Sequence, residues 1–432
     1  MVQVKARETL PMRWFDKSYQ MYDYNLLFIR WMADFSGVDM MVDNYRFNYR
    51  TAICIGTTLM GTINSIYSFV FYYPSLHKIC EVIVMFGILI QGVPKLYFGY
   101  IHREFYKLQY GRLRTLHYKY RDHEKLNANL LLLMERIHVL SKLLAIVFIF
   151  GGLGYSIYPM YMYWAHNELV LMIAMRVPWV DGDSYTGYIV TSAVQMVMIV
   201  ITCTGLSAAD TVILLFVANL IAYVDVFKNE LDELNAMLNE EIRDEKKIRQ
   251  QVRTICTQHQ DIIEYESDLD ERYIVISFGQ VIGSVTSMSV SIFLVYMDNF
   301  IPGYALVVAS FFQLLEFCLL GTILTVKNED IVEAIYSTNW YLLQEPERRC
   351  FGLMLHKSQN FTEMTIGGFA PLNLGTFVAV RLRLGLLCKL STTSLLADYE
   401  PNLLVLYDAH QFHRVEKALE SFFSLLICLY LK

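Results

Sequence analysis

Residues able to do covalent chemistry are few in this chain and poorly spaced for it. There is no HExxH pair, no GxSxG elbow, no glycine-rich nucleotide loop and no kinase set of motifs. The 8 cysteines are scattered, with no CxxC and no Cys/His cluster at metal-ligand spacing. Cys54, Cys203 and Cys318 fall inside apolar runs and read as small core residues. No enzyme, metal or cofactor site is expected. What stands out is three carboxylates in or beside apolar runs: Glu81, Asp210 and Glu316. An ionised carboxylate in the middle of a membrane is costly without a partner. Glu316 is therefore expected to face the bundle interior or a wet cavity, or to keep its proton. It is the candidate intramembrane polar site, for ligand or ion contact. Glu81 lies near the outer end of its run and can reach water. Asp210 reads as a polar residue where its helix meets water. Gly151, Gly152 and Gly154 read as close helix packing rather than a phosphate cradle.

The elements that must position these residues are membrane helices. Hydrophobic residues make up 55% of the chain and charged ones 18%, a balance that polytopic membrane proteins reach routinely and soluble domains rarely. The 30 tyrosines and 26 phenylalanines suit interface belts and aromatic-lined cavities. A formal net charge of −6 makes nucleic acid an unnatural partner. Residues 1–24 lack the apolar core of a secretory signal, so the first internal helix is expected to direct insertion.

Apolar runs predict spans over 51–73, 79–101, 143–164, 188–224, 273–297 and 304–326. Pro94 is expected to kink or end the regular part of the second. The run 188–224, at about 1.5 Å per residue, exceeds a hydrocarbon core of roughly 30 Å and is expected to continue past the membrane surface. Phe28, Ile29, Trp31 and Met32 form a patch too short to span, better read as interfacial. The segment 225–272 is strongly charged, yet Phe227, Leu231, Leu234 and Leu238, then Ile248, Val252 and Ile255, recur at helical spacing. These are soluble amphipathic helices packed on one another or on a neighbour, with a coiled coil as the alternative. After 326, Ile331, Ile335, Trp340 and Leu342 suggest a helix leaving the membrane. Leu353, Met354, Leu355 and Phe361 lead back to it. Gly367, Gly368 and Pro371 break the last element in two.

Charge sets the orientation. Lys and Arg concentrate before 50 and in 95–142, 225–272 and 327–357, while the intervening loops are short or acidic. All positive segments fall on one side if the N-terminus is cytoplasmic. Seven spans then place the C-terminus outside, opposite to a G-protein-coupled receptor, and leave the Asn360-Phe361-Thr362 sequon unused on the cytoplasmic side. The expected fold class is all-α, a polytopic membrane protein with seven transmembrane helices. Its segments are a cytoplasmic or interfacial N-terminal part (1–50), helices one to four (51–224), cytoplasmic helices (225–272), helices five and six (273–326), and cytoplasmic anchor helices with the start of helix seven (327–380). An atypical tail follows (381–432). In this topology the outer half of the bundle holds Phe86, Ile90, Tyr155, Tyr158, Met196, Val200, Phe293 and Tyr296, the candidate ligand-binding residues. Aromatic and methionine walls suit small volatile hydrophobes.

The C-terminal motifs carry a resemblance. Asn328-Glu329, Ala334 to Tyr336, Trp340-Tyr341, Glu347 to Arg349, Ser358-Gln359, Thr365 to Phe369, Pro371 to Leu374 and Thr376-Phe377 stand in order. Together this series resembles the C-terminal signature of insect odorant receptors, a family with the same inverted orientation. The resemblance implies a subunit of an odorant-gated, non-selective cation channel, working as a heterotetramer with the shared odorant co-receptor. It implies a plasma-membrane location in the dendrite of an olfactory sensory neuron. The cytoplasmic helices would make most subunit contacts and the last span would line the pore. The extended cytoplasmic insertion of the co-receptor is missing, so a ligand-tuned subunit is expected. A gustatory-type receptor and a secondary transporter are the alternatives. The TYxxxxxQF ending of the first is not found, nor the internal repeat of the second. Where the family continues with an apolar run, Val380 is followed here by Arg381, Arg383 and Lys389, then Asp398, Glu400 and Pro401. Such charges fit a spanning helix poorly. The tail 381–432 is expected to be an altered ending, and no gate residues are assigned.

Overall fold

The computed structural model describes residues 15–39, 48–180, 184–298, 300–361 and 363–380. The tail 381–432 lies outside the described residues, and so does the continuation of the expected seventh helix beyond its helical start at 374–380. The described residues are helical apart from their connections and one small hairpin. In order it forms α1 (Ser18–Ser36), α2 (Tyr49–Phe71), α3 (Leu76–Ile101), α4 (Arg103–Lys119), α5 (Glu124–His166), α6 (Tyr185–Leu238), α7 (Glu245–Asp298), α8 (Ile301–Ser337) and α9 (Glu345–Ser358). Among the described residues six helices are long and apolar enough to cross a membrane: α2, α3, α5, α6, α7 and α8. α6 and α7 have 54 residues each. At roughly 1.5 Å per residue each is about 80 Å long, far more than a hydrocarbon core, so both extend well beyond it.

α7 packs along α3, α6 and α8. Ser277, Gln280, Ser284, Ser287 and Ser291 recur at three- and four-residue spacing along it, and all are fully buried. Small polar residues let helix backbones approach where no hydrophobic effect operates. The seam meets α3: Ser287 Oγ donates to the Val84 carbonyl at 3.0 Å, and a Cβ on Gly283 would meet the Gly87 carbonyl oxygen at 2.5 Å. The same crossing explains why α3 runs through Pro94 instead of ending there. Proline leaves the Ile90 carbonyl without its helical N–H donor. That carbonyl packs against Gly279, where an added Cβ would lie 2.9 Å from it. The glycine cluster of α5 also serves packing, since a Cβ on Gly152 would meet Cys203 Sγ at 2.9 Å and one on Gly154 the Ala305 side chain at 3.0 Å.

The charged ends of α6 and α7 fold back on each other. Phe227, Leu231, Leu234, Leu238, Ile248, Val252 and Ile255 are all buried in the main core. Polar contacts fix the register: Gln251 Nε2 donates to Glu230 at 2.8 Å, and Arg249 pairs with Glu347 of α9 at 2.9 Å. After α9 the backbone turns through Gly367 and Gly368, both at positive φ, between the paired strands β1 (Thr365–Ile366) and β2 (Ala370–Pro371). Glycine reaches that region without steric cost. This hairpin is the break that the Gly-Gly-Pro sequence implied.

Between α7, α8 and α9 lies a polar cleft lined by His259, Glu266, Asn328, Lys357 and Ser358. His259 Nε2 and Ser358 Oγ are 2.6 Å apart. Burial raises Glu266 to about 8 and lowers His259 to about 4. A carboxyl whose folded pKa exceeds its unfolded value binds protons better when folded, so its contribution is complete at low pH and is lost as pH rises. Glu266→Gln is therefore expected to gain stability over the parent as pH climbs from roughly 5 to 8, with Tm diverging by a few degrees. Parallel thermal melts of detergent-purified protein check this, and melts that stay parallel across the range would overturn it.

Candidate functional site

A cavity of about 270 Å³ lies among α2, α3, α5, α6 and α8, with further lining residues from α1, α4 and α7. Its walls are mostly apolar. Met85, Ile88 and Leu89 come from α3, Ile199 and Leu206 from α6, and Leu306 from α8. Glycines leave its walls open. Added Cβ atoms on Gly92, Gly151 and Gly205, all lining the cavity, would meet nothing closer than 3.8, 3.7 and 3.8 Å respectively.

The connection between α5 and α6 closes the outer end. Ile173 and Met175 point into the structure and are buried there. Gln195 of α6 holds them in place. Its Nε2 donates to the carbonyls of Ile173 and Met175, both at 2.9 Å, and its Oε1 accepts from the Ile173 N–H at 3.2 Å. Ser68 Oγ of α2 accepts from the Arg176 N–H at 2.8 Å. A buried loop must satisfy its backbone groups, and these two side chains do so. The apolar triplet Ile173-Ala174-Met175, in a loop otherwise marked by Glu168 and Asp181, was the signal available in the sequence.

Tyr155 is the one expected ligand-binding residue that lines this cavity. It is buried in an outer core with Met85 and Leu306, and its ring lies 6.4 Å from that of Phe300. Phe293 packs against the same outer core, and Tyr158 lies 6.2 Å from Phe300. Ile90 and Tyr296 are half-buried. Phe86, Met196 and Val200 are exposed on the outside of the bundle. The helices were read correctly, but successive residues on a helix point about 100° apart. The lining face of α3 carries Met85, Ile88, Leu89 and Gly92, and that of α6 carries Met198, Ile199, Thr202 and Leu206.

The inner end of the cavity is polar. Lys95 of α3 and Gln313 of α8 line it. Lys95 Nζ is paired with Asp210 of α6, and both side chains are almost wholly buried. Asp210 is thus not at a water boundary: at 0% exposure it is the buried half of an ion pair. Its partner, by sequence the first residue of the basic connector 95–142, lies instead within α3. Glu316 is also buried, one turn beyond Gln313 on α8, and neither carboxyl oxygen has a hydrogen-bond partner among the described residues. Glu81 is buried too, held by Lys78 and His77, both at 2.8 Å. No group of three or more potential metal ligands occurs among the described residues.

Comparison with known proteins gives a consistent picture. A family model described as 7tm Odorant receptor matches residues 75–381. Putative odorant receptor 83c of Drosophila melanogaster is 22% identical over 371 residues, spanning 82% of this chain and 92% of that protein. Odorant receptor 10a of the same species is 27% identical over 138 residues, 31% of this chain and 34% of that protein. The solved structure of the insect olfactory receptor OR5 from Machilis hrabei is similar with a TM-score of 0.70 at 14% identity, covering 85% of this chain and 97% of that one. The same receptor in complex with eugenol gives a TM-score of 0.66 at 13% identity, covering 84% and 97%. At such identities the structural likeness speaks for the fold.

Proposed function

The chain belongs to the 7tm odorant receptor family, a family of membrane receptors and not of enzymes, and from that premise we propose that it is a ligand-tuned subunit of an odorant-gated cation channel. The cavity beneath the Ile173–Met175 loop carries this reading. It is apolar and walled by several helices, with a few polar groups at one end, which is the form of a small-molecule site. The OR5 complex with eugenol lends support by family likeness. The subunit would take a small hydrophobic volatile there and assemble with the shared co-receptor as a heterotetramer. It would sit in the plasma membrane of an olfactory sensory neuron dendrite, with its N-terminus cytoplasmic, seven spans and its C-terminus outside. The eight residues chosen from sequence divide on this proposal. Tyr155 contacts ligand; Tyr158, Phe293 and Tyr296 stand behind the outer wall; Ile90 is half-buried away from the cavity lining; Phe86, Met196 and Val200 face lipid.

Co-expression with the co-receptor in oocytes tests the reading. An odorant-evoked inward cation current supports it, while uptake without current would favour a transporter and overturn it. Gly92→Leu supplies the site-specific arm. An added Cβ at Gly92 has only Leu206 nearby, at 3.8 Å, so a leucine there can extend into the cavity. Replacing glycine in a helix interior also favours the helix by up to about 1 kcal/mol. The variant is expected to keep its thermal midpoint and to lose at least about tenfold in odorant sensitivity, the loss of roughly 1.4 kcal/mol of binding. An unchanged dose response would place the ligand elsewhere.

A further inference from the structure

The cavity is long, narrow and polarised from end to end. Its lining on α3 runs from Met85 to Gly99, about 21 Å at roughly 1.5 Å per residue. A volume of about 270 Å³ spread over that length leaves a slot rather than a chamber. The outer part, under Ile173 and Met175, is lined by Met85, Ile88, Leu89 and Ile199, with the Tyr155 phenol as the polar group of an otherwise apolar wall. The inner part is different. Gln313 lines it at 5% exposure beside the Asp210 carboxylate, and its Nε2 completes no well-formed hydrogen bond among the described residues. Tyr110 lines it deeper still at 6% exposure, and its hydroxyl has no hydrogen-bond partner among the described residues. A buried donor left unmatched costs about 1–3 kcal/mol, so an incoming oxygen atom is worth most here.

The charges at this end decide which oxygen. Lys95 is the cation lining the cavity, and it is committed to Asp210. Glu316 stands one turn from Gln313, buried and unpartnered. One ammonium with two carboxyls leaves no surplus positive charge for an anionic head. A neutral acceptor such as an aldehyde, ester or alcohol meets no such penalty.

We propose that the cavity selects unbranched, long-chain, neutral odorants that insert their terminal oxygen toward Gln313 and Tyr110 and run their alkyl chain outward to Tyr155 and the Ile173–Met175 loop. This rests on the reading of the cavity as the odorant site and specifies its ligand class.

The test is direct binding to the purified full chain in nanodiscs, read by displacement of a lipophilic fluorescent probe and corrected for partitioning into lipid. Across straight-chain aldehydes of roughly six to fourteen carbons, affinity is expected to rise about fourfold per added methylene until the slot is full. Gln313→Leu is expected to weaken the best aldehyde about tenfold and to leave the n-alkane of equal length unchanged, a split that a merely structural residue would not produce. Tyr110→Phe, which removes only the hydroxyl, gives the same split if Gln313→Leu folds poorly. A compact methoxyphenol that binds as tightly as the best aldehyde, with no chain-length trend, would overturn the ligand class and leave the odorant site standing. A fatty carboxylate that outcompetes its aldehyde would overturn the charge argument. Failure of both compact and linear ligands to displace the probe would remove the odorant-site reading and this proposal with it.

Discussion

Lys95→Met is expected to be the most damaging single substitution in the membrane bundle, at about 3–5 kcal/mol, the usual cost of leaving a buried charge without its partner. Lys95 and Asp210 side chains are 3% and 0% exposed. Lys95 Nζ also lies 5.4 Å from the Phe317 ring centroid, so the cation faces an aromatic surface as well as a carboxylate. Without it, Asp210 and Glu316 remain as two buried carboxyls, neither able to reach water. The reverse removal is less harmful. In Asp210→Asn the ammonium still has Glu316 nearby as a substitute partner. The Lys95→Met/Asp210→Leu double variant is expected to recover most of the loss, because well-packed apolar residues replace buried pairs at little cost. Thermal midpoints of fluorescently tagged protein in detergent order these variants. The argument requires Lys95→Met to melt lowest and the double variant to melt above it. A Lys95→Met midpoint equal to the parent would mean that the pair is solvated in the membrane.

The elements were legible in the sequence because membrane helices declare themselves by length. Each expected span among 51–326 coincides with one of the six apolar helices, the first alone running past its helix, which ends at Phe71. The amphipathic pattern of 225–272 also told which residues would be buried, since Phe227 to Leu238 and Ile248 to Ile255 each keep a helical period on either side of a turn. What the pattern lacked was direction inside the bundle. In a membrane helix both lipid-facing and core-facing residues are apolar, so hydrophobicity no longer separates Met85 from Phe86. The exposed side of α3 took Phe86, and the cavity took Met85. Ion pairing was equally hidden. Lys95 and Asp210 are far apart in the chain; read singly, the first opens a basic connector and the second is a polar residue where its helix meets water. The Ile173–Met175 loop was hidden for a third reason: its burial depends on Gln195 and Ser68, two polar side chains on different helices whose partners are backbone atoms. Pro94 illustrates the same limit. A helix breaker by local rules, it is accommodated by a glycine on α7 that only the fold brings near.

Gly321→Ala carries the second large effect, and it acts on the motif-bearing end of the chain. An added Cβ at Gly321 of α8 would collide with the carbonyl oxygen of Leu372 and lie 2.8 Å from its carbonyl carbon. Backbone atoms cannot rotate away as a side chain does. The segment is also tied in place: Leu372 N–H donates to the Met364 carbonyl at 2.9 Å, and Leu374 N–H donates to Thr322 Oγ1 at 2.9 Å. Phe377, at 2% exposure, packs edge-on to Phe311 with 5.3 Å between ring centroids. An alanine must therefore push the backbone around Leu372 off α8, and with it the helical start at 374–380. Overpacking of this kind costs typically about 1–3 kcal/mol, against a helix-propensity gain of up to about 1 kcal/mol from replacing glycine. Gly56→Ala isolates that gain, because a Cβ there meets nothing within 4 Å. The two alanines should shift Tm in opposite directions, Gly56→Ala up and Gly321→Ala down. If 374–380 begins the proposed pore helix, Gly321→Ala should also abolish the odorant-evoked current, since the displaced backbone leads directly into it. Matching upward shifts for both variants would mean that Leu372 is not held against α8, and the coupling between the sixth apolar helix and the C-terminal motifs would have to be sought in the α8–α9 turn instead.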